Sequence, residues 1–220
     1  MVSEKSSVEL DEYVLRHSSS VSVYNSGEPI FSQGEAVRGV YYVSENHIRI
    51  IREAPNGNAT FLWFAKPKEL VGLTSFFQNN GQYTCSAIAG EKPCTVVFLT
   101  NEAFANLYNQ HPRFKQKLLR TLCERIRFME IRTESILYQN IDKRIIETLL
   151  FLATKENSDH QRQKNLRINY TKKELAEMVG ASLEYLKTRI RELKSMQLID
   201  YGRGWLSIND VEKLRLRAKA

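Results

Sequence analysis

The chain has 220 residues, 42% of them apolar, enough for one large or two modest domains with buried cores and unlike any disordered or fibrous composition. No apolar run reaches the roughly 18 residues that a membrane helix needs. The polar opening MVSEKSSVELDEY carries no secretory pattern, so no membrane partner and a cytoplasmic location are expected. The formal charge of +7 is uneven: residues 141–220 hold 17 Lys and Arg against 11 Asp and Glu, while residues 1–140 hold 15 against 14. Such a concentrated basic excess suggests an anionic partner, nucleic acid first.

From Val21 to Leu99 short apolar runs alternate with turn signals. VYNSGEPIF, GVYYV, HIRII, ATFLWF, ELVGLTSFF, CSAIA and CTVVFL are rich in β-branched and aromatic residues and read as strands. Pro55-Asn56-Gly57-Asn58 between two of them is a hairpin signal, because Asn-Gly takes positive φ readily. Many short strands at regular spacing predict a closed β-sandwich or roll. Three cysteines, Cys85, Cys94 and Cys123, include no CxxC pair, and the β region holds one histidine, His47. A disulfide framework, an iron–sulfur cluster and a metal site are therefore not expected, and the chain is read as needing no cofactor.

The period then changes. A stretch from Arg113 to about Gln139 lacks glycine and proline, and Leu119, Leu122, Ile126, Met129, Thr133 and Ile136 are spaced 3, 4, 3, 4, 3. That is a heptad seam on a helix about 40 Å long. It predicts pairing with a second copy, with Leu118 and Phe128 free to face the β unit. After a break at Tyr138–Asp142, Asp142 is the expected N-cap of a new helix with Ile145, Leu149 and Leu152 on one face. NSDHQRQKN reads as a surface loop.

Thr171 and Glu174 have capping-box spacing, placing a helix start at about Lys172. Leu175, Ala176 and Val179 give it an apolar face, Gly180 marks a turn, and Ser182 is the N-cap of a second helix that buries Leu186, Ile190 and Leu193. This is the pattern of a helix-turn-helix. Glu184, Lys187, Thr188 and Arg191, at i, i+3, i+4 and i+7, share the other face, where such side chains suit the edges of bases in a major groove. Thr171 and Ser182 sit at helix N-termini, which favour phosphate. LKSMQLIDYGRGWLSIND then reads as a hairpin with Arg203 at its tip, a wing that reaches a DNA backbone. Lys213, Arg215, Arg217 and Lys219 follow.

This order of parts resembles the Crp/Fnr family of bacterial transcription regulators, over roughly Val21 to Leu214. The resemblance rests on SGEPIFSQGEAVRGVYYVSENHIRII, VGLTSFFQNNGQYTCSA and YTKKELAEMVGASLEYLKTRIRELKSMQLI. It implies an α+β chain: an N-terminal double-stranded β-helix, the cNMP-binding-like jelly roll (residues 1–110), a long dimerisation helix and hinge (111–140), and a C-terminal winged helix-turn-helix (141–220). It also implies a homodimer acting on a double-stranded DNA operator, contact with RNA polymerase, and no enzymatic activity. By resemblance, DNA would be met by Thr171, Lys172, Ser182, Glu184, Lys187, Thr188, Arg189, Arg191 and Arg203. Arg189 stands where the family is commonly apolar and is expected to turn toward phosphate.

The effector pocket maps onto Gly72, Leu73, Thr74, Tyr83, Thr84, Met129 and Glu130. Members that bind cyclic AMP carry Gly-Glu and Arg-Ser where this chain reads Gly72-Leu73 and Tyr83-Thr84, and Thr-Ser where it reads Met129-Glu130. A phenol brings neither the charge nor the fork of a guanidinium, so cyclic AMP is not expected; the effector is an unknown small molecule or none, Leu73 and Tyr83 then simply filling the cavity. The cluster-binding Fnr branch uses N-terminal cysteines, absent from residues 1–84. Asn46 replaces a turn glycine, which Asn tolerates. Leu183-Glu184 replaces the usual base-reading Arg-Glu pair. Two other classes stay open: a ligand-sensing module whose winged domain binds protein, and a cupin-like metal enzyme.

Overall fold

The computed structural model describes residues 14–56, 59–78, 81–156 and 166–219. Two compact units divide the chain, Met1–Arg125 and Ile126–Ala220, so the division falls inside the long helix, upstream of the expected hinge at Asn140.

In the first unit, strands β1 (Ser20–Tyr24), β2 (Pro29–Phe31), β3 (Gly39–Glu45), β4 (Ile48–Glu53), β5 (Ala59–Ala65), β6 (Leu70–Val71), β7 (Ser86–Ala89) and β8 (Cys94–Thr100) form two antiparallel sheets of order β1-β8-β3-β6 and β2-β7-β4-β5. The alternation of side chains along each strand sorts residues into two layers. Val43, Ile48, Ile50, Ala87, Cys94 and Val96 enter one core with Phe31 and Tyr83. Val40, Tyr42, Val97 and Leu99 point the other way, onto Phe104, Leu107, Phe114 and Leu118 of the following helices. Asn46, at the β3–β4 turn, has φ 59° and its amide donates to the Pro93 carbonyl at 2.8 Å, as its place in a glycine position requires. The β4–β5 hairpin pairs Glu53 with Ala59; Gly57 and Asn58 of the predicted turn lie outside the described residues, as do His160 and residues 157–165.

One predicted strand is only partly one. Of ELVGLTSFF, Leu70–Val71 pair with β3, and Leu73–Gln78 form a short helix, α1. Gly72, at φ +88°, ends the strand, and the next turn closes with the Phe76 N–H on the Gly72 carbonyl at 3.1 Å. Its aromatic residues then pack sideways on Phe104 instead of alternating across a sheet.

Helix α2 runs from Asn101 to Gln110 behind an N-capping Thr100, and α3 from Pro112 to Tyr138. Proline suits the first turn of α3, where its missing N–H has no partner to lose. Phe114 and Leu118 are buried on α3, whereas Leu119, Ile126 and Ile136 are 59%, 59% and 51% exposed. The predicted seam is therefore turned by part of a residue: Leu122 packs on the first unit's core and Met129 is half-buried. Leu119, Cys123, Ile126, Glu130, Thr133 and Leu137 are exposed and spaced 4, 3, 4, 3, 4, a continuous stripe.

In the second unit, α4 (Ile141–Glu156), β9 (Leu166–Ile168), α5 (Lys172–Val179), α6 (Leu183–Ser195), β10 (Ile199–Gly202), β11 (Trp205–Ile208) and α7 (Val211–Lys219) follow. The N-cap of α4 is Asn140, not Asp142: the Asn140 side chain accepts from the Lys143 N–H at 2.9 Å and its carbonyl from Arg144. Asp142 is left free for another partner. The wing is a three-stranded sheet of order β10-β11-β9. Its third strand, β9, went unrecognised because three residues beside a polar loop show no period. The second half of α3 is anchored within this unit by Phe128 against Phe151 and by Arg132 donating to the Glu177 carbonyl.

Candidate nucleic-acid interface and effector pocket

The first helix of the hairpin begins with a complete capping box. The Glu174 N–H donates to the Thr171 hydroxyl at 3.2 Å, while the Glu174 carboxylate accepts from the Thr171 N–H at 2.8 Å and from its hydroxyl at 3.1 Å. Glu174 is buried, so the box fixes the helix start against the core. It also uses the Thr171 hydroxyl hydrogen internally; what this N-terminus offers an anion is backbone N–H and the Lys172 ammonium. Gly180 closes the helix at φ 70°, ψ 41°, its N–H on Ala176 and Glu177. A Cβ there would meet nothing within 4 Å, so the turn demands glycine for its dihedral and not for space. Ser182 caps α6 through the Tyr185 N–H at 3.2 Å.

Leu186, Ile190 and Leu193 are buried, as the spacing predicts. Glu184, Thr188 and Arg191 are exposed and Lys187 is half-exposed. Lys187 and Glu184 pair at 2.7 Å, which holds the Glu184 carboxyl below the usual carboxylate range. The helix thus presents a donor and an acceptor already oriented. Arg203 is exposed at the tip of the wing, beside Gly204 at φ +77°. At Gly202 a Cβ would come within 2.4 Å of the Trp205 indole nitrogen, so the turn is packed closed by that ring, which Arg167 covers at 4.9 Å.

Arg189 departs from expectation. Its guanidinium forks onto Asp142, Nε to Oδ1 at 2.7 Å and Nη2 to Oδ2 at 2.8 Å, and Nη1 bonds Glu192 at 2.6 Å. Tyr185 donates to the same Asp142 oxygen at 2.9 Å. Hydrogen bonding to Glu192 and Tyr185 holds the guanidinium in its charged form. An arginine held on two carboxylates braces α6 against α4 in this structure rather than standing with Glu184, Lys187, Thr188 and Arg191.

Two lysines of this unit share one aromatic ring. Lys172 lies 3.6 Å over the Tyr201 ring and Lys194 lies 4.8 Å from the same ring. The Lys172 ammonium is pushed below the usual lysine range by partial burial and by Arg191, Lys187 and Lys194. Lys194 also pairs with Asp200 at 2.6 Å. Sequence reading missed Tyr201 and Lys194; the period-2 pattern of the wing strand, with Ile199 inward, was the available signal.

In the β-roll, Gly72 and Tyr83 meet as expected. Tyr83 is buried, stacks on Phe31 at 4.0 Å and donates its hydroxyl to the Gly39 carbonyl at 2.7 Å. A Cβ on Gly72 would stand 3.2 Å from the Tyr83 ring. The Thr84 N–H, which would face a phosphate, donates to the buried Ser75 hydroxyl at 3.0 Å. Leu73 is buried in the other core layer, away from Tyr83, and Thr74 is exposed. Arg125 reaches the roll from α3, over Trp63 at 4.7 Å and paired with Glu69 at 3.4 Å. Met129 is half-buried and Glu130 exposed in the second unit. Among the described residues no group of three or more His, Cys, Asp and Glu is placed to hold a metal ion, and no helix is long and apolar enough to cross a membrane.

Residues 21–111 match the model of the cyclic nucleotide-binding domain, and residues 143–217 match that of the Crp-like helix-turn-helix domain. The chain belongs to the Crp/Fnr family. Among its relatives, the CRP-like cAMP-activated global transcriptional regulator of Mycobacterium tuberculosis is 26% identical over 201 residues, 88% of this chain and 85% of that protein. The cAMP-activated global transcriptional regulator CRP of Salmonella typhimurium is 22% identical over 188 residues, 86% and 88% of the two chains. The fold is shared with the c-di-GMP responsive global regulator CLP of Xanthomonas campestris, at a TM-score of 0.72 and 20% identity over 92% of this chain and 99% of that one. FixK2 of Bradyrhizobium japonicum aligns with a TM-score of 0.73 at 15% identity over 90% and 96%. This Crp/Fnr member is accordingly a transcriptional regulator with a helix-turn-helix DNA-binding domain, and not an enzyme.

Proposed function

We propose that the chain acts as a homodimer on a double-stranded DNA operator, reading bases with the outer face of α6 and phosphates with Lys172 and the wing's Arg203. The observation that carries this reading is the pairing of a capped, glycine-turned helix hairpin with an exposed Glu184, Lys187, Thr188 and Arg191 face and a basic wing. Side chains of these types match base edges in a major groove, and cations match the backbone. The exposed stripe on α3 supplies the dimer contact, and two copies present two such helices to successive turns of a duplex. Ser182 offers its hydroxyl to phosphate at the N-terminus of α6. Residues 1–110 form the sensing part, 111–140 the dimerisation helix, and 141–220 the operator-binding part. The family resemblance supports a cytoplasmic location and a contact with RNA polymerase as parts of this reading.

The sensing part does not take cyclic AMP. Tyr83 occupies the interior of the roll where an arginine would neutralise a phosphate, and Ser75 already satisfies the Thr84 N–H. Burying a phosphate against these groups leaves its charge unmatched. Relatives whose names state an effector differ in it, cyclic AMP for one and c-di-GMP for another, so the effector is fixed by local residues and does not transfer with the fold.

Fluorescence anisotropy of the full chain on duplex DNA at several salt concentrations tests the main reading. With about six phosphate contacts, log affinity falls against log salt with a slope near −5. Absent or salt-independent binding would sink it and would favour a winged domain that binds protein. Added cyclic AMP is expected to leave both the affinity and the melting temperature unchanged.

A further inference from the structure

Of the cations near Tyr201, Lys194 is paired with Asp200 and Lys187 with Glu184, while Lys172 is held over the ring and, among the described residues, is paired with no carboxylate. Like-charged ammoniums stay together only where something attracts each. Here that something is the face of one aromatic ring, whose quadrupole is negative at its centre. Lys172 stands at the first position of α5 and Lys194 at the end of α6, so these ammoniums come from the two helices of the hairpin and the ring from the wing. Three elements converge on Tyr201.

We infer that Tyr201 is a positioning residue of the DNA interface, its ring gathering the Lys172 and Lys194 ammoniums into a clamp for one backbone phosphate. The inference rests on the DNA-binding reading above and adds to it a residue that touches neither base nor phosphate. Its physical logic is that Lys172, which stands over the ring, already feels the repulsion of Arg191, Lys187 and Lys194 before binding. An anion placed between Lys172 and Lys194 relieves it, so the site is prepared for negative charge at the expense of isolated stability. The capping box occupies the Thr171 and Glu174 N–H groups internally, so the charge offered here comes from the ammoniums. Asp200 pairs with Lys194 at 2.6 Å in the free chain, and the phosphate takes its place on that ammonium.

A ring's face, not its hydroxyl, does this work, which separates Tyr201→Phe from Tyr201→Leu. The test is anisotropy of the full-length wild type, both variants, and Lys172→Ala, Lys194→Ala and their double on a random-sequence duplex from about 50 to 300 mM salt. A random duplex suffices because a phosphate contact carries no sequence information. Tyr201→Phe is expected to bind within about twofold of wild type with the same salt slope. Tyr201→Leu is expected to lose roughly five- to tenfold and to flatten the slope by about 0.9, the value of one phosphate. The losses of Lys172→Ala and Lys194→Ala should be non-additive in the double, because they serve one anion. That cycle leaves Tyr201 in place and so decides the matter even if Tyr201→Leu does not fold. Tyr201→Leu binding like wild type, Tyr201→Phe failing as badly as leucine, or additive lysine losses would each overturn the clamp. A wild type that ignores duplex DNA would instead remove the DNA reading beneath it, and is told apart by that control alone.

Discussion

Ile126→Asp is the sharpest test of the dimer. Leu122, although on the predicted seam, packs on the first unit's core, so a charge there damages the subunit as well as any interface. Ile126 is 59% exposed in the single chain, and its replacement leaves the fold within about 0.5 kcal/mol, as surface changes do. Fully burying an isoleucine is worth roughly 1.5–3 kcal/mol. Covering the exposed share of this one with a partner helix recovers about 1–2 kcal/mol, and the symmetric copy doubles that to about 2–4 kcal/mol. Aspartate forfeits the whole of it and brings two carboxylates together in a drying seam, adding several kcal/mol more. The sum is at least about 5 kcal/mol, or more than a thousandfold in the dimer dissociation constant. Sedimentation velocity at micromolar concentration should show a dimer for wild type and a monomer for Ile126→Asp, with unchanged thermal unfolding of the isolated chain. A variant that sediments as the wild-type dimer would refute the assignment of this stripe, and a monomeric wild type would remove the dimer itself.

Lys187→Ala and Arg191→Ala should each weaken operator binding by roughly 1–3 kcal/mol and relax preference at one position, read by competition among operator variants. Arg203→Ala should lower affinity about equally for every sequence and reduce the salt slope by about 1; a changed operator preference would contradict a phosphate role for the wing tip. Gly180→Ala should destabilise the second unit by about 1 kcal/mol, a fall of several degrees in melting temperature, purely through its φ of +70°. Gly180→Asn should cost less, because asparagine tolerates that region.

Where local rules suffice, the sequence was legible. The capping box at Thr171 and Glu174, the left-handed Gly180, the Ser182 cap and the Asn46 turn each follow from the chemistry of one or two neighbouring residues. The buried face of α6 and the strands of the roll follow from period alone. What failed needed partners distant in sequence. Arg189 sits on the same helix as Lys187 and Arg191, and only Asp142, 47 residues upstream, shows that it turns to a neighbouring helix. Two good capping residues, Asn140 and Asp142, lie two apart, and the choice between them depends on that same arginine. LTSFF has the composition of a strand and becomes a helix because Gly72 turns the chain and Phe104 receives its rings. Gly72 and Tyr83 lie side by side, but Gly72 alternates Val71 and Leu73 between two core layers, so Leu73 packs away from Tyr83, which residue spacing alone does not show.

The junction between α3 and α4 is braced from both sides. Gln139 accepts from Ser135 at 2.8 Å and donates to Glu147 at 2.7 Å, while the Arg189 fork ties Asp142, two residues past the last cap, to the middle of α6. Side-chain bonds thus run from Ser135 near the end of α3, through Gln139, to Glu147 on α4, and from Asp142 on α4 to Arg189 on α6, so a polar group lost at any of these positions loosens the join between the three helices.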